Sequence, residues 1–175
     1  MVKRHIKRLT APVTWNLKRS DGKYVVKSFP SGHKQSLSMP LLFLLRDIMK
    51  VGRTATEVKE ILHNQKVTVD GKAMEELKYG VGLFDIVGIA ALKKHYRVVL
   101  AADGVLDAIE IPEAEAAIKP LCVIAKHMLS KGKLQLTLLD GTCILLEQKD
   151  ATRNIISVGD TVVYNYAEKK IVAVL

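Results

Sequence analysis

Cysteine is nearly absent. The 175 residues hold only Cys122 and Cys143, too far apart to form a C-x-x-C metal or redox pair. The reading is two buried free thiols in a reducing cytosol, with a disulfide between them as the alternative. Long apolar runs are also missing. None approaches the about 18 residues of a membrane span, and no apolar stretch follows the basic N-terminus as in a signal peptide. A soluble, intracellular protein is expected, with no membrane partner. Aromatic residues are 5% of the chain and do not interleave with basic ones, which argues against a stacking platform for single strands.

Catalytic constellations are lacking as well. The five histidines (5, 33, 63, 95, 127) are scattered, none at metal-ligand spacing. Gly80-Val81-Gly82 reads as a loop without the lysine and helix of a phosphate-binding P-loop. No nucleophile stands beside a base. Asp103, Asp107, Glu110, Glu113 and Glu115 could bind a cation or a basic partner. A solvated turn and helix N-terminus, where negative charge is favourable, is the preferred reading. No catalytic residue, metal, cofactor or small-molecule substrate is expected.

Basic charge is what the chain does have. The net charge is +9, and it is concentrated at one end. Residues 1–38 carry nine Lys or Arg against Asp21 alone, whereas residues 101–175 carry eight against ten acidic residues. KRHIKR, residues 3 to 8, sets like charges side by side at a cost to folding, which points to a polyanion as their target. With 49% apolar residues, the chain can still bury a real core.

Residues 1–38 show no sustained period and read as an extended basic arm. One short hairpin is expected at the Asp21-Gly22 turn before YVVKSF. A solubilising tail is the alternative, and Trp15, Tyr24, Val25, Val26 and Phe29 argue against it. Trp15 either stacks on a base or anchors the arm. Ser38-Met39-Pro40 then opens a buried helix over about 39–50 that Gly52 stops. Thr54 and Glu57 form a capping box for a second helix to about Asn64. Val67 and Val69 alternate into Asp70-Gly71, and a strand over 85–89 follows the loop 71–84. From Tyr96 the pattern is β: RVVLA, VLDAI, LCVIA, LQLTLL, TCILLE, TVVYNY and IVAVL, broken by one helix over about 112–119 and a polar loop around 147–154. The fold class is α+β: a basic arm (1–38), a small helix-helix-β module (39–95), and a small antiparallel β barrel-like domain or sandwich (96–175).

Arg46, Lys50 and Arg53 follow i, i+4, i+7 spacing and fall on one stripe if the helix continues. Such a ridge can straddle phosphates; the ordinary solvated face of a helix is the equal alternative. Leu37 through Ile89, with Arg53, Val67-Thr68-Val69-Asp70-Gly71 and Gly82-Leu83-Phe84-Asp85, resembles the S4-type RNA-binding module. The flanks KRHIKRLTAPVTW, SGHK (31–34), HYRVV (95–99), QLTLLDG (135–141) and GDTVV (159–163) fall in the order of the archaeal and eukaryotic-type small-subunit ribosomal protein family S4e. Departures from that family are Gln65 where a small residue is common, Ser31-Gly32 in place of Gly-Pro before His33-Lys34, and Leu139 in place of a histidine. The family also continues into a KOW-type module, absent here, which makes a truncation after Leu175 the expectation.

The resemblance implies a structural component of the small ribosomal subunit, cytoplasmic and non-enzymatic. Its partners would be small-subunit ribosomal RNA and neighbouring ribosomal proteins. It implies RNA contacts at Lys3, Arg4, His5, Lys7, Arg8, His33, Lys34, Arg46, Lys50, Arg53 and Lys72. An RNA-modifying enzyme or a stress-related RNA-binding factor carrying the same module are the alternatives. The first would need a catalytic set that the remaining strands do not offer.

Overall fold

The structure is a computed structural model that describes residues 5–64, 66–147, 155–166 and 168–175. Lys3, Arg4, Gln65 and most of the polar loop 147–154 lie outside the described residues. The chain forms two units, Met1–Ala116 and Ala117–Leu175.

In the first unit, β1 (His5–Lys7) pairs antiparallel with β2 (Tyr24–Val26). This is not the short hairpin expected at Asp21-Gly22. The connection covers residues 8–23 and holds single 3-10 turns at Arg8–Thr10 and Arg19–Asp21. Arg8 closes it: its guanidinium donates to the carbonyls of Lys18 (2.9 Å) and Asp21 (3.4 Å), and its N–H donates to Lys23 (2.9 Å). Trp15 is 3% exposed. Its Nε1 donates to the Ser38 carbonyl at 2.7 Å, and its ring stacks on Phe43 with centroids 6.1 Å apart. Trp15 is therefore an anchor, and the apolar core reaches back well before Pro40.

The first helix starts later than expected. Ser38–Pro40 is a strand, β3, paired with Gly80–Gly82 (β6), in the stretch read as a loop. Pro40 sits at ψ 139°, extended backbone from which the helix sets out one residue on. α1 (Leu41–Phe43) runs on as a π segment, Leu44–Ile48. Met49 N–H reaches Leu44 and Val51 N–H reaches Leu45, both at 2.9 Å. The apolar run Leu41–Leu45 is buried throughout. What ends the helix is Lys50, in the left-handed region at φ +53°, a place glycine or asparagine usually holds. Gly52 instead permits close packing, since a Cβ there would stand 2.9 Å from Val58 Cγ2.

α2 (Ala55–His63) carries the capping box, with Glu57 N–H donating to Thr54 Oγ1 at 3.2 Å. Its Val58 and Leu62 are fully buried. β4 (Val67–Val69) turns through Asp70 (φ +48°) and Gly71 (φ +75°) into β5 (Lys72–Ala73), the left-handed pair of a tight hairpin. β7 (Ile86–Ile89), β8 (Lys94–Leu100) and β9 (Leu106–Ile111) complete a five-stranded antiparallel sheet in the order β5-β4-β7-β8-β9. The expected boundary at 95/96 falls inside β8. Pairing of Ile86 with Arg97 keeps the β8–β9 hairpin in the first unit, and the division comes after Ala116.

The helix expected over 112–119 shrinks to one 3-10 turn, Glu113–Glu115. Pro120, which would break a continuing helix, instead faces Val163 in β10 (Ile118–Met128). β11 (Leu134–Leu138), β12 (Cys143–Leu146), β13 (Thr161–Asn165) and β14 (Lys170–Val174) complete the second sheet, ordered β12-β11-β10-β13-β14. Among the described residues no pairing joins β12 to β14, so this is half a barrel and not a closed one. Alternating residues on one face, among them Leu121, Val123, Leu134, Leu136, Leu138, Val162 and Tyr164, make its core. Lys119, fully buried, lies 3.4 Å from Asp140, whose carboxylate also takes the N–H and hydroxyl of Thr142. Both cysteines are free; Cys122 is half-buried and Cys143 exposed rather than buried as expected.

Candidate nucleic-acid interface

An open groove of about 700 Å³ crosses the first unit. One wall comes from the β1–β2 connection, with Arg8, Asn16, Lys18, Asp21 and Tyr24; the other comes from α1 and the turn after it, with Arg46, Asp47, Lys50 and Arg53. Leu42 and Phe43 supply an apolar floor. Four of the cations singled out in the sequence, Arg8, Arg46, Lys50 and Arg53, therefore meet in one place although Arg8 is far from the others in sequence. Lys18, which no motif marked, joins them. Its only sequence signal was its place in the basic N-terminal segment.

The four are not equivalent. The guanidinium of Arg8 is committed to backbone carbonyls, although its Nε is buried and has no hydrogen-bond partner. Arg46 is paired with its neighbour Asp47, Nη2 to Oδ2 2.7 Å and Nε to the same oxygen 3.1 Å, both side chains about one-third exposed. Lys50 and Arg53 are exposed, and neither side chain makes an ion pair among the described residues. The π-widened end of the first helix and the left-handed Lys50 break the straight i, i+4, i+7 stripe. The turn they create carries Lys50 and Arg53 to the groove.

Arg53 has its backbone N–H bonded to Glu57 Oε2 at 2.9 Å. That bond, followed by the Thr54 side chain, holds the Glu57 carboxyl below its ordinary range. The carboxylate thus fixes the backbone of the turn, and the Arg53 charge adds a smaller lowering of its own.

The remaining sequence-marked residues lie elsewhere. His33 is not at the surface: its side chain is 8% exposed and its Nε2 is 3.1 Å from Asp85 Oδ1. Lys34 is exposed at the start of the 3-10 turn Gln35–Leu37. His5 is exposed, edge-on to the Tyr24 ring with centroids 4.6 Å apart, and Lys7 is exposed beside it on β1. Lys72 is exposed on the outer strand of the first sheet. None of these lines the groove. The acidic residues Asp103 and Asp107 border a separate recess of about 390 Å³ with Asp47, and no group of three metal-ligating side chains occurs among the described residues.

Residues 92–171 match the pattern of "Ribosomal family S4e", and residues 2–36 match the "RS4NT (NUC023) domain". The small ribosomal subunit protein eS4 of Methanocella arvoryzae is 38% identical over 167 residues, which is 95% of this chain and 68% of that protein. Its counterpart in Methanocaldococcus jannaschii is 38% identical over 175 residues, 98% of this chain and 70% of that protein. The crystal structure of the 30S ribosomal protein S4e from Thermoplasma acidophilum superposes with a TM-score of 0.65 at 31% identity, covering 79% of this chain and 69% of that one. On sequence, order of motifs and fold together, the chain belongs to ribosomal family S4e.

Proposed function

We propose that the chain is a structural, non-enzymatic component of the small subunit of the cytoplasmic ribosome, and that it holds ribosomal RNA through the groove between the β1–β2 connection and the turn at Lys50–Arg53. Support comes from the family and from one observation above the others. Cations from two segments far apart in sequence converge on one concave surface, an arrangement that suits a polyanion. Lys50 and Arg53 take the phosphates, since both are exposed and neither makes an ion pair among the described residues. Arg8 shapes the wall. His5, Lys7, Lys34 and Lys72 are outlying backbone contacts, Lys3 and Arg4 are further RNA contacts, and neighbouring ribosomal proteins are the further partners. Phosphate and shape carry this part of recognition, as is usual for paired RNA.

The test is salt dependence on small-subunit ribosomal RNA. Each phosphate contact adds about −0.9 to the log–log slope for duplexes. Replacing Lys50 and Arg53 together by glutamine should therefore reduce the slope by about 2 and weaken binding, with the melting temperature kept. An unchanged slope would remove the groove from the interface.

A further inference from the structure

Asp103, Asp107, Glu110, Glu113 and Glu115 follow one another without an intervening base, in a chain of net charge +9. The helix N-terminus that would account for the last of them is a single 3-10 turn. Two are committed to cations, Glu110 to Lys94 at 2.9 Å and Glu115 to Arg97 at 3.8 Å. Asp103, Asp107 and Glu113 make no ion pair among the described residues. Asp107 accepts the N–H of Ala108 at 2.8 Å.

These charges run along a free sheet edge. β9 is an outer strand of the first sheet, and the register shows what its open side offers. The N–H and C=O of Val98 are spent towards β7, on Asp85 (3.0 Å) and Phe84 (2.8 Å). β8 therefore bonds β9 through the alternate residues, which Asp107, Ile109 and Ile111 face. The main-chain groups of Leu106, Ala108 and Glu110 point outward. The Leu106 N–H is taken by the Thr14 carbonyl at 2.8 Å; beyond it no backbone group pairs with this edge among the described residues. Ile109, on the same strand, is 54% exposed. Where β9 begins, the recess of about 390 Å³ sets Ile48 and Val105 beside Asp103 and Asp107. An apolar wall with carboxylates at its rim suits an aliphatic stem that ends in a positive charge. Asp47, also at the rim, is spent on Arg46.

We propose that the outer edge of β9 takes up an extended basic segment of a neighbouring protein as a sixth strand, with one of its lysines or arginines seated in the recess against Asp103 and Asp107. Main-chain bonds to Ala108 and Glu110 hold the strand, and the carboxylates select its charge. The same carboxylates turn RNA away. A second copy of this edge would set acidic side chains against their like. The inference rests on the reading of the chain as a ribosomal component with protein neighbours, and it uses a surface other than the groove.

Amide hydrogen exchange of the whole chain, followed by NMR, tests it with a capped peptide of alternating lysine and valine as the probe. At saturation the Glu110 amide should exchange about tenfold more slowly, and the Ala108 amide with it. Replacing Asp103 and Asp107 together by asparagine should weaken the peptide about fivefold, as for the loss of two exposed ion pairs. A glutamate–valine peptide should not protect these amides, nor should the lysine–valine peptide N-methylated at every residue, which keeps its charge and loses its main-chain donors. Equal protection by either control would overturn the inference. So would protection of the same amides by small-subunit ribosomal RNA, or by raising the protein concentration without peptide, which would assign the edge to a second copy. No protection, with a salt slope that still depends on Lys50 and Arg53, would overturn this inference and leave the groove standing. Protection kept in the Lys50→Gln, Arg53→Gln variant would support it whatever becomes of the groove.

Discussion

His33 Nε2 lies 3.1 Å from Asp85 Oδ1, and the other carboxylate oxygen accepts the Gly82 N–H at 2.6 Å. Two residues 52 apart in sequence are thereby joined, and the N-terminal segment is fastened to the turn between β6 and β7. The ring also lies flat over Gly82, where an added Cβ would fall 2.1 Å from His33 Cγ. Asp85 is 2% exposed, so losing the histidine removes one of its hydrogen bonds where water does not readily replace it.

From this, His33→Ala should destabilise the protein by about 1–3 kcal/mol, the cost of leaving a buried acceptor short of a hydrogen bond. Gly82→Ala should cost about 1–3 kcal/mol by forcing the ring aside. Urea unfolding measures both. Affinity for RNA, measured where each variant remains folded, should match the parent. A weaker complex without loss of stability would return His33 to the interface.

Lys50 separates stability from binding. At φ +53° a side chain bears roughly 1 kcal/mol of backbone strain that glycine does not. Lys50→Gly should raise the urea midpoint while lowering RNA affinity; Lys50→Ala should lower affinity and gain no stability. If both substitutions act alike on stability, the turn is unstrained and the left-handed lysine is no marker of the site.

Trp15 tests whether the N-terminal segment is separable from the core. Trp15→Ala should cost about 3–5 kcal/mol, as for other large core truncations. Trp15→Phe should cost about 1–2 kcal/mol, because stacking on Phe43 survives and the bond to the Ser38 carbonyl does not. Deleting residues 1–38 would remove this anchor as well as the basic charge. The contribution of the charges to RNA binding is therefore read by neutralising Lys7 and Lys18, not by deletion.

Glu57 gives a pH signature. The Arg53 N–H, and after it the Thr54 side chain, lower its carboxyl in the folded state. A depressed carboxyl contributes stability that is fully present above its unfolded value and is lost as pH falls through the folded one. Glu57→Gln keeps an acceptor oxygen and removes the charge. The urea midpoint of the parent should exceed that of the variant at neutral pH, and the gap should close as the pH drops below the ordinary glutamate range. A constant gap across that window would show that charge plays no part in the cap.

Local chemistry was legible in the residues. The Thr54–Glu57 box, the Asp-Gly turns at 70–71, 103–104 and 140–141, and the alternation of LQLTL and TVVYN each declare themselves within a few positions. Partner choice was not. Nothing in RVVLA says that it pairs with Ile86–Ile89 and so belongs to the first unit, because period two gives a strand and not its neighbour. The apolar run Leu41–Leu45 announced burial but not a π end, and spacing computed for a straight helix missed how Lys50 and Arg53 reach the groove. Basic residues marked the candidates; that Arg8 and His33 spend their donors inside the protein depends on contacts 10 to 52 residues away.

β10 is shared between two neighbours: residues 118–122 pair with β13 and residues 123–128 with β11, with the register shifting at the bulge between Val123 and Ala125. During synthesis these halves are satisfied at different times. The β10–β11–β12 meander closes short loops and is available once Leu146 has emerged. The other half must wait for Thr161–Asn165, across a longer and entropically costlier loop. Until then a nascent chain presents one zipped half and one bare edge on the same strand. That makes 118–122 the stretch on which a chaperone, or a second nascent chain, would find its hold.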